Sequence, residues 1–218
     1  MYEVILFDLD GTLTDPGEGI TNSVAHALER LGRPVPPRQA LYRFIGPPLC
    51  ESFMDFCGLD RPGGLRAVEL YREYYREKGI WENQVYAGIP ELLAQLRSAG
   101  RKLLVATSKP EEFAHQILEH FHLSPYFDFV SGASMDSRRV RKADVIARAL
   151  AHEGLTPGPA LVMVGDREHD VLGAREAGLD CVGVLFGYGS RAELEAAGAA
   201  KIAATVPELA RILLEVRP

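Results

Sequence analysis

Two pairs of carboxylates in this chain each follow a short apolar run. Asp8 and Asp10 come directly after Val4–Phe7. Asp166 and Asp170 follow a second such run later in the chain. In open α/β sheets, residues at the carboxyl ends of neighbouring strands meet in one crevice, where like carboxylates repel by about 4 kcal/mol at 4 Å and an effective dielectric of 20. The pattern predicts a hard divalent cation between them, and Mg²⁺ suits an all-oxygen ligand set best.

Each pair alone has a simpler interpretation. Asp8 and Asp10 could be solvated acids in a strand-to-loop turn, and Asp170 could cap a helix. An EF-hand is excluded because Leu13 stands where that loop requires glycine. Gly11 allows the backbone to turn sharply and approach an anion, which favours a binding loop.

Hydroxyl and basic groups are placed to bind an anion. Thr107 and Ser108 follow a third apolar run before a predicted helix, where they could donate to phosphate oxygens or cap that helix. The segment Ser137–Lys142 contains four bases, and most of them are expected on a solvated loop. One inward lysine would supply the positive charge that a phosphate needs. Lys142 is the preferred residue, and Lys109 is the alternative.

The elements that must position these residues alternate between strands and helices. Runs of successive apolar residues are typical of strands buried on both faces, so we predict a doubly wound parallel sheet in an α/β, Rossmann-like core. Three of the amphipathic segments between them are followed within two residues by a glycine, which is a helix C-terminal signal. The predicted strands are Val4–Phe7, Leu103–Ala106, Phe127–Gly132, Leu161–Val164 and Cys181–Leu185, and the predicted helices are Glu91–Ala99, Glu111–His122, Lys142–His152 and Glu168–Ala177.

The stretch 16–83 differs because it contains no strand-like run. Its helical segments are separated by glycine and proline breaks. We therefore predict a small helical domain inserted after the first strand, with residues 1–15 and 84–218 forming the core. The helices predicted in the insert are Gly19–Leu31, Leu49–Phe56 and Gly64–Glu77.

The composition and charge of the chain argue against several classes of protein. The 218 residues carry a formal net charge of −6, which argues against binding to nucleic-acid polymers through bulk positive charge. Three scattered cysteines do not form a disulfide framework. The N-terminus lacks the features of a signal peptide, and no stretch reaches the roughly 20 apolar residues of a membrane span. We expect a soluble cytoplasmic protein, monomeric or homodimeric, that binds no membrane.

Together these clusters resemble the four motifs of the haloacid dehalogenase-like hydrolases. Asp8–Thr12 is similar to the first motif, and Thr107 ends a strand similar to the second. Lys142 is similar to the third, and Asp166 with Asp170 to the fourth. The helical insert resembles the cap domain that phosphoglycolate phosphatases carry at this position.

The resemblance implies a Mg²⁺-dependent phosphatase that acts on a small phosphomonoester. Asp8 would be the nucleophile that forms an aspartyl phosphate, and Asp10 the general acid and then the base. Asp8, the backbone carbonyl of Asp10 and Asp166 would bind Mg²⁺, and Asp170 would be a further ligand or a second-shell acceptor.

The same resemblance assigns the phosphate-binding residues. Thr107 and Lys142 would contact the phosphoryl oxygens, and we place Gly11 and Ser108 in the same phosphate site. Lys142 would also compensate the cluster of acids.

Segments in the insert and its hinges resemble a subgroup often associated with 5′-nucleotidase activity. The segments that carry this likeness are Phe44–Leu49, Tyr71–Tyr75, Gly79–Asn83 and Tyr86–Ile89. The tyrosines could instead be packing residues. The expected substrate is a 5′-nucleotide or 2-phosphoglycolate.

Three other activities fit the same scaffold. A haloacid dehalogenase would have no use for Asp10 as an acid–base group or for a metal at Asp166. A sugar phosphomutase shares all four motifs, so the motifs do not separate it from a phosphatase. A non-catalytic regulatory binding protein is expected to lack a catalytic acid, and none is missing here.

Overall fold

The computed structural model describes residues 1–135 and 139–215, which form two compact units. One unit is Met1–Thr14 with the chain from Val85 onward, and the other is Asp15–Gln84. The strands are β1 (Val4–Phe7), β2 (Thr14–Asp15), β3 (Gln84–Val85), β4 (Lys102–Pro110), β5 (Phe129–Ala133), β6 (Leu161–Gly165), β7 (Asp180–Val184) and β8 (Lys201–Ala203). The α-helices are α1 (Gly17–Arg30), α2 (Arg38–Leu41), α3 (Leu49–Cys57), α4 (Arg61–Tyr74), α5 (Ile89–Ser98), α6 (Glu111–His120), α7 (Lys142–His152), α8 (Glu168–Glu176), α9 (Arg191–Ala197) and α10 (Val206–Leu214).

Six strands form one parallel sheet in the order β5-β4-β1-β6-β7-β8. The chain builds outward from β1 to one side through β4 and β5, and then to the other side through β6, β7 and β8. Strand β1 is therefore the point at which the strand order reverses, and ligands of such sheets bind outside the carboxyl ends of the strands there. The predicted doubly wound α/β class is confirmed.

Both faces of the sheet are covered, which explains the uninterrupted apolar runs. Leu6, Leu104 and Met163 share a buried cluster with residues of α7, α8 and α9. The alternate residues of the same strands, such as Ile5 and Val162, are also fully buried. Because successive side chains of a strand point to opposite faces, each face must be packed against other parts of the chain.

Several boundaries differ from the predicted ones for local reasons. Strand β4 continues past Ala106 to Pro110, and its register with β5 shifts between these two residues. Strand β5 begins at Phe129 rather than Phe127 because a 3₁₀ turn at Ser124–Tyr126 precedes it. Strands β2, β3 and β8 have two or three residues each, too few to show a period.

The second unit, Asp15–Gln84, is a helical bundle. Helix α4 packs against both α1 and α3, and a π-helical turn at Tyr75–Gly79 extends it. Helix α1 approaches that turn so closely that a Cβ on Gly19 would lie 1.9 Å from Gly79 O. Tyr71 and Tyr75 are buried and stack on each other at 5.3 Å, which is the packing role considered for them.

Over the described ranges 1–135 and 139–215, no helix combines the length and the apolar character that crossing a bilayer requires.

Candidate active site

Asp8 lies at the carboxyl end of β1, at the centre of the sheet. Its backbone N–H donates to Val164 O at 2.9 Å, which extends the pairing of β1 with β6 by one residue. Gly11 then turns the chain with φ of 83°. A Cβ on Gly11 would lie 2.3 Å from Asp166 Oδ2, so only glycine fits this close approach. The loop thereby brings the first and the last predicted motif together.

Lys142 reaches this sheet edge from the first residue of α7. Its Nζ lies 2.8 Å from Asp8 Oδ1 and 2.8 Å from Asp170 Oδ1. The same ammonium donates to Ala106 O at 3.1 Å, so three acceptors surround it. A Cβ on Gly173 would lie 2.6 Å from the Cβ of Lys142, and the glycine therefore leaves the space through which the lysine passes.

Three aspartates form a cluster that could hold one cation. Asp8, Asp166 and Asp170 are all buried, and one carboxylate oxygen from each lies within 4.8 Å of the others. One oxygen of Asp166 and one of Asp170 is fixed by a backbone N–H group. Tyr188 N donates to Asp166 Oδ2 at 2.7 Å, and Arg167 N donates to Asp170 Oδ2 at 3.1 Å. These bonds orient the carboxylates for a ligand shell of oxygens.

The electrostatics of this cluster favour an added cation. Burial raises the pKa of Asp166 well above its usual range, and the carboxylates of Asp170 and Asp8 raise it further. Burial also raises the pKa of Asp170, although Lys142 opposes that shift. For Lys142 itself burial would lower the pKa, but Asp170 and Asp8 outweigh burial and raise it. Lys142 is therefore an ammonium at neutral pH. Its single positive charge does not offset the three carboxylates of the cluster, and the raised pKa values of Asp166 and Asp170 reflect this shortage of positive charge.

Asp10 forms a separate ion pair. Lys109 Nζ lies 2.7 Å from Asp10 Oδ2, and both side chains are almost fully buried. Burial raises the pKa of Asp10, and the ammonium of Lys109 opposes that shift. The Asp10 carboxylate is not in the three-aspartate cluster. Its backbone carbonyl therefore remains the atom that we predict as a metal ligand.

Thr107 and Ser108 lie in the irregular end of β4. Thr107 is buried, and its Oγ1 accepts a hydrogen bond from Lys109 N at 3.2 Å. Ser108 is half-buried. Their assignment to a phosphate site, like that of Gly11, stays a prediction.

The basic stretch before α7 contributes one residue to the cluster. Arg139 donates through Nε to a backbone carbonyl of β5 at 3.1 Å, and Arg141 forms an exposed ion pair with a glutamate of α8. Ser137 and Arg138 lie outside the described residues. Among the described residues of this stretch, Lys142 is the one that contacts the acids.

The donor set fits a divalent metal ion. The buried charged side chains in the described ranges are Asp8, Asp10, Lys109, Lys142, Asp166 and Asp170. When all four acids are ionised, they outnumber the two ammonium groups by two negative charges, which one divalent cation would balance. Oxygen ligands without thiolate or imidazole suit Mg²⁺.

Sequence reasoning missed the loop that covers Asp166. A Cβ on Gly187 would lie 2.2 Å from Gly11 O, and one on Gly189 would lie 1.8 Å from Asp166 O. Between them Tyr188 supplies the N–H bound by Asp166. A Gly-x-Gly triplet directly after an apolar run was the available signal, because such triplets mark close backbone approaches.

Comparisons with known proteins agree with this geometry. A family model described as haloacid dehalogenase-like hydrolase matches residues 5–184. A protein named 5′-nucleotidase from Pseudomonas aeruginosa is 49% identical over 195 residues, which cover 89% of this chain and 88% of that protein.

Two further relatives carry different functional names. A protein named tyrosine-protein kinase PtkA from Mycobacterium tuberculosis is 44% identical over 97% of this chain and 72% of its own length. The crystal structure of a "predicted phosphatase" from Clostridium acetobutylicum superposes with a TM-score of 0.96 at 45% identity, over 99% of this chain and 100% of that one.

Proposed function

Because the chain belongs to the haloacid dehalogenase-like hydrolase family, we propose that it is a Mg²⁺-dependent phosphomonoesterase that works through an aspartyl phosphate. One observation carries this proposal: Lys142 Nζ lies 2.8 Å from Asp8 Oδ1, next to two further buried carboxylates. A carboxylate that attacks an anionic phosphate needs positive charge nearby to offset both groups. The proposed substrate is a small phosphorylated metabolite.

The proposed reaction has two displacements. In the first, an Asp8 carboxylate oxygen bonds to phosphorus, the bond from phosphorus to the leaving oxygen breaks, and Asp10 gives that oxygen a proton. In the second, Asp10 takes a proton from water, the water oxygen bonds to phosphorus, and the bond from phosphorus to Asp8 breaks. The products are an alcohol and inorganic phosphate, and both aspartates return to their starting states. The raised pKa of Asp10 supports its role as proton donor.

The phosphoryl oxygens would be bound at the carboxyl edge of the sheet. Lys142 lies beside the proposed nucleophile, and its ammonium charge is retained at neutral pH. Thr107 at the end of β4, together with Ser108, would donate hydrogen bonds to the remaining oxygens. Gly11, whose N–H already donates to Thr14 O, would let the loop approach the phosphate closely. Donors fixed by the fold stabilise the transition state without rearranging.

The residues that would hold Mg²⁺ are Asp8, Asp166 and Asp170, with the backbone carbonyl of Asp10. When bound there, the metal would supply positive charge that offsets the phosphate and the nucleophile. The oxygen spacing of at most 4.8 Å supports this assignment.

A nucleoside 5′-monophosphate is the leading substrate class, and 2-phosphoglycolate is the next. The first is supported by the 49% identity to the relative named 5′-nucleotidase. We further propose that residues 16–83 act as a cap that selects the leaving group and excludes bulk water. The compact helical unit Asp15–Gln84 supports this assignment.

Phosphoryl transfer to a tyrosine hydroxyl is a second candidate. The observation that favours it is the 44% identity to the relative named tyrosine-protein kinase PtkA. The same aspartyl phosphate could pass its phosphoryl group to a phenol oxygen instead of water, with Asp10 accepting the phenol proton. The two candidates therefore differ in the acceptor and not in the nucleophile.

A phosphate-release assay tests the proposal. Purified protein is given nucleoside 5′-monophosphates, 2-phosphoglycolate, sugar phosphates and phosphotyrosine, each with Mg²⁺ and with a chelator. We expect inorganic phosphate from at least one compound, its loss with the chelator, and no turnover by Asp8→Asn. A tyrosine peptide with a nucleoside triphosphate is included to detect transfer.

Other outcomes would contradict it. Full activity in the presence of the chelator would show that the reaction does not need a metal ion. A sugar phosphate converted to an isomer without released phosphate would identify a phosphomutase. Binding of nucleotides without turnover of any compound would identify a regulatory protein.

A further inference from the structure

We propose that Lys109 is the positioning residue that holds Asp10 in the orientation needed to protonate the leaving oxygen. This inference rests on the proposed phosphomonoesterase function, since it deepens the role of Asp10 in that reaction. It also assigns different tasks to the two buried lysines of the site.

Lys109 and Asp10 form a close and buried ion pair. Lys109 Nζ lies 2.7 Å from Asp10 Oδ2, and the two side chains are 4% and 11% exposed. Asp10 Oδ1 is also buried, and no residue in the described ranges forms a hydrogen bond with it. One oxygen of the carboxyl group is therefore fixed, and the other is available to a reacting group.

Both partners of this ion pair are held by hydrogen bonds of their backbones. The N–H of Lys109 donates to Thr107 Oγ1 at 3.2 Å within the irregular end of β4. On the other side, Asp10 forms an isolated bridge with Thr14, and Gly11 N donates to Thr14 O at 2.7 Å. The carboxyl group is thus fixed at its backbone and at Oδ2, which reduces its freedom to turn Oδ1 away.

The two buried ammonium groups of the site contact different acids. Lys142 is surrounded by Asp8, Asp170 and Ala106 O, which places it beside the proposed nucleophile. Lys109 instead contacts the proposed acid. A lysine that bound the phosphoryl group would affect every substrate equally. A lysine that acts through Asp10 should matter only when the leaving oxygen needs a proton.

The test compares two classes of substrate with Lys109→Met. The readout is kcat/KM, which reports the steps up to formation of the aspartyl phosphate. General acid catalysis contributes about 10²- to 10⁴-fold, so we expect kcat/KM for an alkyl phosphate to fall by about 30-fold or more. For p-nitrophenyl phosphate, whose leaving group departs without a proton, we expect a fall of less than about threefold.

Three variants control the comparison. Lys102→Met removes another ion-paired lysine of β4, and it should leave both kcat/KM values unchanged. Lys109→Arg keeps the charge and should recover part of the alkyl phosphate activity. In an Asp10→Asn background, Lys109→Met should cost less than about threefold more, because coupled residues are not additive.

Two results would overturn the inference. An equal fall for alkyl and aryl phosphates would mean that Lys109 binds the phosphoryl group directly. Full additivity with Asp10→Asn would mean that it acts independently of Asp10. If Lys109→Met does not give the far-UV circular dichroism of a folded protein, Lys109→Gln replaces it. Failure of the wild-type protein to hydrolyse either phosphate would instead contradict the proposed function, so the two failures are distinguishable.

Discussion

The sheet edge and the helical insert bury different kinds of side chain. Every buried charged residue in the described ranges lies at the sheet edge, whereas the buried polar residues of the unit Asp15–Gln84 are neutral. The charged residues of the insert instead form exposed pairs such as Arg66 with Glu69. Burying charge costs free energy that packing alone does not require. The difference indicates that the sheet edge is built for chemistry and the insert for packing and shape.

The largest effect should separate a buried ion pair from an exposed one. Lys142 lies 2.8 Å from Asp8, and Arg66 lies 2.8 Å from Glu69. Removing one partner of a buried pair leaves an uncompensated charge, so Lys142→Met should lower the free energy of unfolding by about 3–5 kcal/mol. Arg66→Met should change it by at most about 1 kcal/mol. Urea unfolding measures both, and similar values for the two variants would refute the comparison.

Asp166→Asn should weaken Mg²⁺ binding and stabilise the metal-free protein. The loss of a carboxylate from the cluster should weaken binding by about 100-fold, measured by titration calorimetry. Because the pKa of Asp166 is raised on folding, this residue contributes fully to stability below about pH 3.8. The contribution is lost as the pH rises through the raised pKa. Without metal and above that pH range, Asp166→Asn should therefore have a higher Tm than the wild-type protein. A lower Tm of the variant would contradict repulsion among the carboxylates of the cluster.

Gly19→Ala should destabilise the insert and leave the metal site intact. A Cβ on Gly19 would lie 1.9 Å from Gly79 O, so the free energy of unfolding should fall by about 1–3 kcal/mol. The Mg²⁺ dissociation constant should remain within about twofold of the wild-type value, since the acids are all in the other unit. A tenfold change would show that the two regions are not independent.

Gly189→Ala should have the smallest of these effects and should act on the metal site. Its Cβ would lie 1.8 Å from Asp166 O, so the loop must shift and the N–H of Tyr188 with it. Loss of such a supporting bond should weaken Mg²⁺ binding by about tenfold. Gly158→Ala is the matched control, because nothing lies within 4 Å of a Cβ there. If both variants bound Mg²⁺ equally well, the loop at Gly189 would not support the metal site.

The sequence was sufficient for the fold class, the family and the enzyme class, all three of which are confirmed. Polar residues at the carboxyl ends of neighbouring parallel strands lie close together. The proximity of Asp8 and Asp166 could therefore be predicted from the sequence. The contact of Lys109 with Asp10 could not be predicted, because Lys109 lies in the stretch of β4 where the register with β5 shifts. The loop at Gly189 was missed for a similar reason, since only the packed structure places it on Asp166.

The central claim is that Asp8 carries the phosphoryl group during turnover. The most direct measurement mixes the protein with Mg²⁺ and a phosphomonoester that it hydrolyses. The reaction is quenched in acid within milliseconds, and the digested protein is analysed by mass spectrometry. The account predicts that the peptide with Asp8 gains the mass of one phosphoryl group, that the label disappears as substrate is exhausted, and that Asp8→Asn shows none. Steady turnover with no labelled peptide, or a phosphoryl group on another residue, would contradict it.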